Sequence, residues 1–477
     1  MLRSARRPLL LGALAPLLLA ACQRPHVHDA SCESGLVKGA PAAQAAAPAQ
    51  PSATVAAAVA APELSSAEAL ASFDEAWQTI HDTHFDPKFN GVDWDAVKTE
   101  LRPRAEAAHT RAELRAVIGE MIGRLGQSHF GLIPSDILPD AAGGGHDQSG
   151  GLGFDVRLRD GRLLVVSVES GGAAAAAGVK PGWIVEKIGG FDAPKLLERL
   201  RSGAEQLGER KLAFQMWAAS QYGLLGPVGD HVTVAFLDGE DRPVSLELER
   251  KKRNVTAHDL GRTLPTFYLA FRDEILERGG KKIGLIVFSN WFLPVMQPID
   301  AAVDKMRACD GIVIDLRGNT GGAGAMAMGV AGHFVSETKT LGVMMTRDST
   351  LNFLANPRRV NAAGEVVEPF TGPLAILTDE CTASTSEVFA GGLQSLGRAR
   401  TFGETTAGAA LPAMTTRLPN GDSLLHAMGD FETSTGVRLE GAGVVPDEGV
   451  PITREGLLAG HDAALERALD WITASNH

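Results

Sequence analysis

Three almost uninterrupted apolar segments in the second half of the chain constrain its fold most narrowly. They read IGLIVF at 283–288, IVIDL at 312–316 and LAIL at 374–377, and sequence with helical spacing lies between them. A strand that is apolar along its whole length must be covered on both faces, which is typical of the parallel sheets of α/β proteins. Residues 262–477 are therefore predicted to form an α/β domain.

Glycine-rich and hydroxyl-rich turns follow the ends of these strands, where the reactive crevice of such a sheet lies. In the turn DLRGNTGG at 315–322, free glycine amides at a helix start could stabilise a developing negative charge. The run TDECTASTSE at 378–387 places serines between a strand and a helix, where a hydroxyl can act as a nucleophile or simply cap the helix. Two further turns follow, GETTAG at 403–408 and LEGAGVVPD at 439–447.

A middle block, residues 150–250, has the alternating pattern of a small β domain and follows a glycine-rich joint at 141–150. It opens with GLGF, and AGVKPGWIV follows at 177–185. Glycines on both sides of an apolar residue let successive amides point into one cavity, which suits a carboxylate. The candidate peptide-binding residues are Gly151, Leu152, Gly153 and Phe154. A β domain without a ligand is the alternative.

Residues 63–140 are predicted to be helical. Ser65 and Thr110 begin capping-box patterns, and Asp93 begins another helix. The last helix ends at a glycine, and the pair Ser128-His129 follows. His81 and His84 lie three residues apart on the first helix; packing or surface roles are favoured there over half of a metal site.

The first 22 residues carry a targeting pattern. Arginines precede an apolar run too short to span a bilayer, and the run ends in LAAC at Cys22. Residues 22–62 are rich in alanine and proline and are predicted to be a tether. Three residues there invite a metal hypothesis, but their spacing fits no standard site: His26, His28 and Cys32. We predict no metal and no cofactor.

Charge and cysteine content exclude two classes of protein. Lys and Arg number 45 against 57 Asp and Glu, with no basic block, so a nucleic-acid partner is not expected. Four cysteines in 477 residues exclude a disulfide scaffold. Cys381 is a conceivable thiol nucleophile, although an apolar packing role is favoured, and whether it pairs with Cys309 stays open.

The ordered runs DLRGNTGG, TASTSE, GETTAGA and LEGAGVVPD resemble the serine peptidases of family S41, the C-terminal-processing (tail-specific) and tricorn-core group. The resemblance covers roughly residues 66–475, and the middle block resembles a PDZ domain. It implies a crotonase-like spiral core behind an N-terminal helical domain and an inserted PDZ domain. It also implies Ser384 as nucleophile, with the amides of Thr385 and of Gly321 or Gly322 as oxyanion hole.

One departure from the family pattern affects the mechanism. The processing branch carries a lysine base 25 residues after the nucleophile; this position holds Ala409, and no lysine follows Lys339. The tricorn-like branch uses a histidine, the serine before it and a late glutamate. By that resemblance His129 is the general base, Ser128 orients it, and Glu440 polarises the network.

The expected protein is a serine endopeptidase acting on polypeptides, whose PDZ domain recruits a chain end or gates the site. Residues 1–21 resemble a bacterial lipoprotein signal peptide, which implies acylation of Cys22 and a periplasm-facing membrane anchor, with the outer membrane favoured. The alternative is an inactive peptide-binding protein on the same fold. Coenzyme-A chemistry is disfavoured by export. Oligomeric state and natural substrate stay open.

Overall fold

A computed structural model describes residues 64–137, 147–203, 208–260 and 264–475. The predicted signal peptide, the tether, Cys22 and the three candidate metal ligands of the tether lie outside these ranges. Within them, no helix is both long and apolar enough to cross a membrane.

The N-terminal part is helical, as predicted. Its elements are α1 (Ser66–Thr83), α2 (Trp94–Glu106), α3 (Arg111–Gly123) and the short strand β1 (Gly131–Ile133), with 3-10 turns at Phe89–Gly91 and Ser135–Ile137. Ser65, Asp93 and Thr110 each cap a helix through a side-chain oxygen, so the predicted starts are correct. The apolar faces of the helices pack around Phe73, Leu101 and Ile118.

The segment 150–258, which comprises the middle block and two short strands after it, is mainly an antiparallel sheet with two longer helices. Its elements are β2 (Gly150–Gly151), β3 (Phe154–Arg159), β4 (Arg162–Val168), α4 (Ala173–Ala176), β5 (Ile184–Ile188), β6 (Phe191–Asp192), α5 (Ala193–Gly203), α6 (Glu209–Leu224), β7 (Leu225–Gly226), β8 (His231–Leu237), β9 (Pro243–Glu249), β10 (Lys251–Lys252) and β11 (Thr256–His258). The strand order is β3-β4-β5-β8-β9, and α6 packs against β3.

The C-terminal part is built on a six-stranded sheet with the order β13-β14-β15-β18-β19-β23, parallel except for the β13–β14 pair. Its elements are β12 (Phe267–Leu269), β13 (Phe271–Arg278), β14 (Lys281–Phe288), α7 (Leu293–Met306), β15 (Gly311–Asp315), α8 (Gly324–Ala331), β16 (Lys339–Thr346), β17 (Thr350–Ala355), β18 (Leu374–Thr378), α9 (Thr385–Ser395), β19 (Arg400–Gly403), β20 (Ala413–Arg417), β21 (Ser423–Ala427), β22 (Gly429–Thr433), β23 (Glu448–Gly449), α10 (Arg454–Leu458) and α11 (Ala463–Ala474).

Both faces of this sheet are covered, as the apolar strands predict. Ile312 and Ile314 of β15 face the cluster formed with α7, α8 and α9, whereas Val313 faces α11. Successive side chains of a strand point to opposite faces, so each face needs its own apolar cover. The mixed α/β architecture is therefore confirmed. Because β15 and β18 are parallel neighbours, the turns that follow them lie side by side at the carboxyl ends of the strands.

Candidate active site

Ser384 lies in the turn between β18 and α9, directly before the first residue of the helix. Its backbone has φ 58° and ψ −122°, a strained conformation typical of a serine held on a sharp strand-to-helix turn. A Cβ on Gly321 would lie 2.6 Å from the Ser384 Cβ, so only glycine fits against this serine. The serine is 2% exposed.

His129 approaches Ser384 from the loop that follows α3. Its Nε2 lies 3.2 Å from Ser384 Oγ, although 255 residues separate them in sequence. Complete burial lowers the pKa of His129 to about 4, so the ring is neutral at neutral pH and can accept a proton from the serine. Its backbone φ of 59° is also in the left-handed region.

Ser128 and Glu440 continue this chain of hydrogen bonds. Ser128 Oγ lies 2.8 Å from His129 Nδ1 and donates to Glu440 Oε2 at 2.7 Å. Glu440 also accepts from the Ser128 amide at 2.9 Å and from the Ala410 amide at 3.0 Å. The four side chains selected from the sequence thus form one continuous Ser384–His129–Ser128–Glu440 chain.

The oxyanion-hole prediction named either of two glycines, and their amides differ. Gly321 N–H donates to Asn319 Oδ1 at 3.0 Å. Trp291 forms backbone hydrogen bonds with Gly321 and Ala323, the neighbours of Gly322. The N–H and C=O of Gly322 itself therefore face away from Trp291, and its carbonyl accepts from Thr385 Oγ1 at 2.8 Å. Within the described residues, the amides of Gly322 and Thr385 have no hydrogen-bond partner, which favours Gly322 over Gly321.

Ala409, at the position of the missing lysine, contacts Ser384 through its backbone. Its carbonyl accepts from the Ser384 amide at 2.8 Å. Its methyl group packs in an apolar cluster with Phe214 and Trp217 of α6 and with Ala383, so helix α6 of the middle block lies beside the nucleophile.

Glu387 is a supporting residue that the sequence reasoning did not single out. Its carboxylate accepts from the amides of Ser384 (3.0 Å), Gly408 (2.8 Å) and Ala409 (3.0 Å) and from the Thr406 hydroxyl (2.5 Å). Burial raises its pKa to about 7, against the opposing effect of these hydrogen bonds. The signal was available, because Ser384 and Glu387 have capping-box spacing.

The middle block is linked to the nucleophile turn by a buried ion pair. Arg157 of β3 donates to Asp379 Oδ2 at 2.8 Å, and Asp379 also accepts from the Gly318 amide at 2.9 Å and the Cys381 amide at 3.0 Å. Burial acts to raise the pKa of Asp379, but the charge and hydrogen bond of Arg157 and the hydrogen bond from the Gly318 amide together lower it. Arg159, two residues further along β3, forms a second ion pair with Glu380 at 2.6 Å.

The cysteine and metal-site candidates of the sequence analysis have surroundings that do not suit those roles. Burial raises the pKa of the Cys381 thiol, which disfavours a thiolate nucleophile, and Cys381 and Cys309 are both free rather than paired. His81 stacks on Trp77, and no group of three metal-ligating side chains occurs in the described ranges.

In the GLGF segment the four residues are not equally free to bind a carboxylate. Leu152 N–H donates to the Leu224 carbonyl at 3.2 Å and is not available to a ligand. The amides of this segment therefore do not all point into one carboxylate-binding cavity. Gly151 is paired within the small sheet of β2, β7 and β10. Gly153 has φ 81°, and a Cβ there would lie 3.0 Å from the Gly172 Cα, so glycine is required at this position.

Comparison with known proteins shows which family the chain resembles. Residues 282–450 match the model of peptidase family S41, and residues 65–123 match that of the tricorn protease C1 domain. The chain is 26% identical over 390 residues to carboxyl-terminal-processing peptidase 2 of Arabidopsis thaliana, covering 80% of this chain and 68% of the relative. It is 24% identical to a carboxyl-terminal-processing protease of Picosynechococcus, covering 79% and 82%.

Among solved structures, the photosystem II D1 C-terminal processing protease superimposes with a TM-score of 0.54 at 20% identity, covering 83% of this chain and 98% of that chain. At this identity, the superposition establishes a shared fold.

Proposed function

We propose that the chain, whose residues 282–450 match peptidase family S41, is a serine endopeptidase that acts through Ser384 with His129 as its general base. The observation that carries this proposal is the continuous hydrogen-bonded chain from Ser384 through His129 and Ser128 to Glu440. The similarity to carboxyl-terminal-processing proteases does not favour the inactive binding protein.

The proposed reaction is acyl transfer. His129 Nε2 accepts the Ser384 hydroxyl proton as Oγ attacks the peptide carbonyl, and the amides of Gly322 and Thr385 stabilise the resulting oxyanion. Ser128 and Glu440 stabilise the imidazolium. The proton then passes to the leaving amine, and a water molecule, activated by the same histidine, hydrolyses the ester.

A fluorophosphonate probe, which reacts with activated serines, tests this assignment. Mass spectrometry should locate the label on Ser384 in the full chain, and Ser384→Ala and His129→Ala should each abolish it. Ser395→Ala, at the other end of α9, is the matched control and should label like the wild type. Undiminished labelling of His129→Ala would refute the histidine base.

We also propose that the middle block is a PDZ domain that recognises the C-terminal end of the substrate. Support comes from the GLGF segment, the strand order of the sheet and the processing activity named for the relatives. Cleavage of one peptide with a free and with an amidated C-terminus tests this. Equal rates for the two peptides would contradict the proposal.

Finally, we propose that the protein is exported and held in the bacterial cell envelope by acylated Cys22, facing the periplasm from the outer membrane. The arginine-rich start, short apolar run and LAAC box support this. Metabolic labelling with an alkyne fatty acid should mark the wild type but not Cys22→Ala. Label retained by Cys22→Ala would refute acylation at this cysteine.

A further inference from the structure

His84 is a fully buried histidine that the proposed mechanism does not use. It follows the last residue of α1, and its amide donates to the Ile80 carbonyl at 2.9 Å, which fixes its backbone to the end of the helix. The guanidinium of Arg347 donates to its carbonyl at 3.0 Å from the peptidase core. The residue is therefore anchored on both sides before its ring makes any contact.

Both nitrogens of the His84 ring have partners. Nδ1 lies 2.8 Å from the Asp86 carbonyl oxygen and 3.1 Å from the Asp86 amide nitrogen. Nε2 lies 2.9 Å from Gln127 Oε1, across 43 residues of sequence. The ring also stacks on Phe130, with centroids 5.6 Å apart and planes inclined by 14°. One side chain thus contacts two residues of the loop after α3.

These two contacts enclose the catalytic pair. Gln127 immediately precedes Ser128, and Phe130 immediately follows His129. The left-handed φ of 59° at His129 is unfavourable for a residue with a Cβ, so the surrounding structure must hold it. Glu440 holds Ser128 from the core, and His84 holds the residues on either side of the pair.

We propose that His84 is a positioning residue that keeps His129 Nε2 within reach of Ser384 Oγ. The proposal rests on the proposed function of His129 as general base. Misplacement of a reacting group by about 1 Å lowers a rate up to about a hundredfold, even when binding is unaffected. A looser loop should therefore slow the chemical step without changing affinity.

The test is a double-mutant cycle on the full chain, with fluorophosphonate labelling of Ser384 as the measurement. His84→Phe keeps an aromatic ring for stacking and removes the bond to Gln127; Gln127→Leu removes the same bond from the partly exposed side. Each variant should lower the maximal labelling rate roughly tenfold and leave the half-saturating probe concentration unchanged. The double variant should label no more slowly than either single variant, because all three lack the same hydrogen bond. Additive losses, or an unchanged rate in folded Gln127→Leu, would overturn the proposal.

Two further variants separate a positioning role from other causes. His333→Phe also removes a buried histidine with a side-chain partner, Asp300 at 2.8 Å, far along the chain from this loop. It should lower thermal stability without lowering the labelling rate; an equal rate loss would reduce His84 to a merely structural role. His129→Ala tests the premise: if it labels normally, the general base is wrong, whereas a silent His129→Ala with normal His84→Phe refutes only the inference.

Discussion

Replacing Glu440 by glutamine tests the hydrogen-bonded chain at its far end. The carboxylate accepts three hydrogen bonds, from Ser128 Oγ (2.7 Å), Ser128 N (2.9 Å) and Ala410 N (3.0 Å). Glutamine has the same shape but one oxygen, so its amide group must face at least one of these donors. The negative charge that stabilises the His129 imidazolium is also lost.

The expected loss follows from these contacts. A hydrogen bond to a charged group contributes about 1.5–3 kcal/mol, which corresponds to roughly a 10- to 150-fold lower rate when the contribution is made in the transition state. We therefore expect Glu440→Gln to lower kcat for a fluorescent casein substrate by that factor, with KM nearly unchanged. Labelling of Ser384 by the fluorophosphonate should slow in parallel.

A suitable control is Glu432→Gln on β22, a partly buried carboxylate outside the chain, which should have wild-type kinetics. Thermal unfolding of both variants shows whether they remain folded. A folded Glu440→Gln protein within twofold of the wild-type kcat would refute this expectation, because neither the second carboxylate oxygen nor the negative charge would then contribute to the transition state.

Three more predictions follow from the site. Gly321→Ala should abolish labelling in a protein that still unfolds cooperatively, because its methyl group would lie 2.6 Å from the Ser384 Cβ; normal labelling would contradict the close packing. The pKa of His129 is lowered to about 4, so the ring stays neutral down to about pH 4, well below the usual histidine pKa near 6.5. The acid limb of kcat/KM should therefore lie near pH 4; a limb near pH 6.5 would show a solvated histidine. Trp217→Ala should raise the labelling rate roughly fivefold or more, because the lost packing loosens α6, which covers Ser384 (2% exposed), and the probe then reaches the serine more often. An unchanged rate would show that α6 does not limit access.

The fold was accessible from the sequence because its strands have an unambiguous pattern. Segments such as 312–316 and 374–377 are apolar on both faces, and the structure covers each face with its own helices. Helix starts were equally clear where a side chain caps the helix, as at Thr110. Helix ends were less clear than helix starts: α8 ends at Ala331 and Gly332 follows it, but Gly329 lies inside the same helix, so a glycine alone did not mark the end.

The site was only partly accessible. Ser384, His129, Ser128 and Glu440 came from resemblance to a motif order, since 255 residues separate the first two and no local pattern joins them. The choice between Gly321 and Gly322 depends on which amide Asn319 occupies, which is a matter of three-dimensional geometry. Glu387 was missed because a capping glutamate is ordinarily exposed, whereas here it is buried beneath the nucleophile turn.

Ala409 stands where the processing branch of the family carries its lysine, and its contacts with the Ser384 turn come from the backbone. The position contributes two backbone groups to the nucleophile turn: its carbonyl accepts from Ser384 N, and its amide donates to Glu387. Neither contact depends on the side chain. The proposed base, His129 from the N-terminal part, therefore requires no change in this turn, and the Ala409 side chain belongs to the apolar cluster that includes Trp217. Because the loop of Ala409 also holds Glu440 through the Ala410 amide, the same backbone supports the histidine chain.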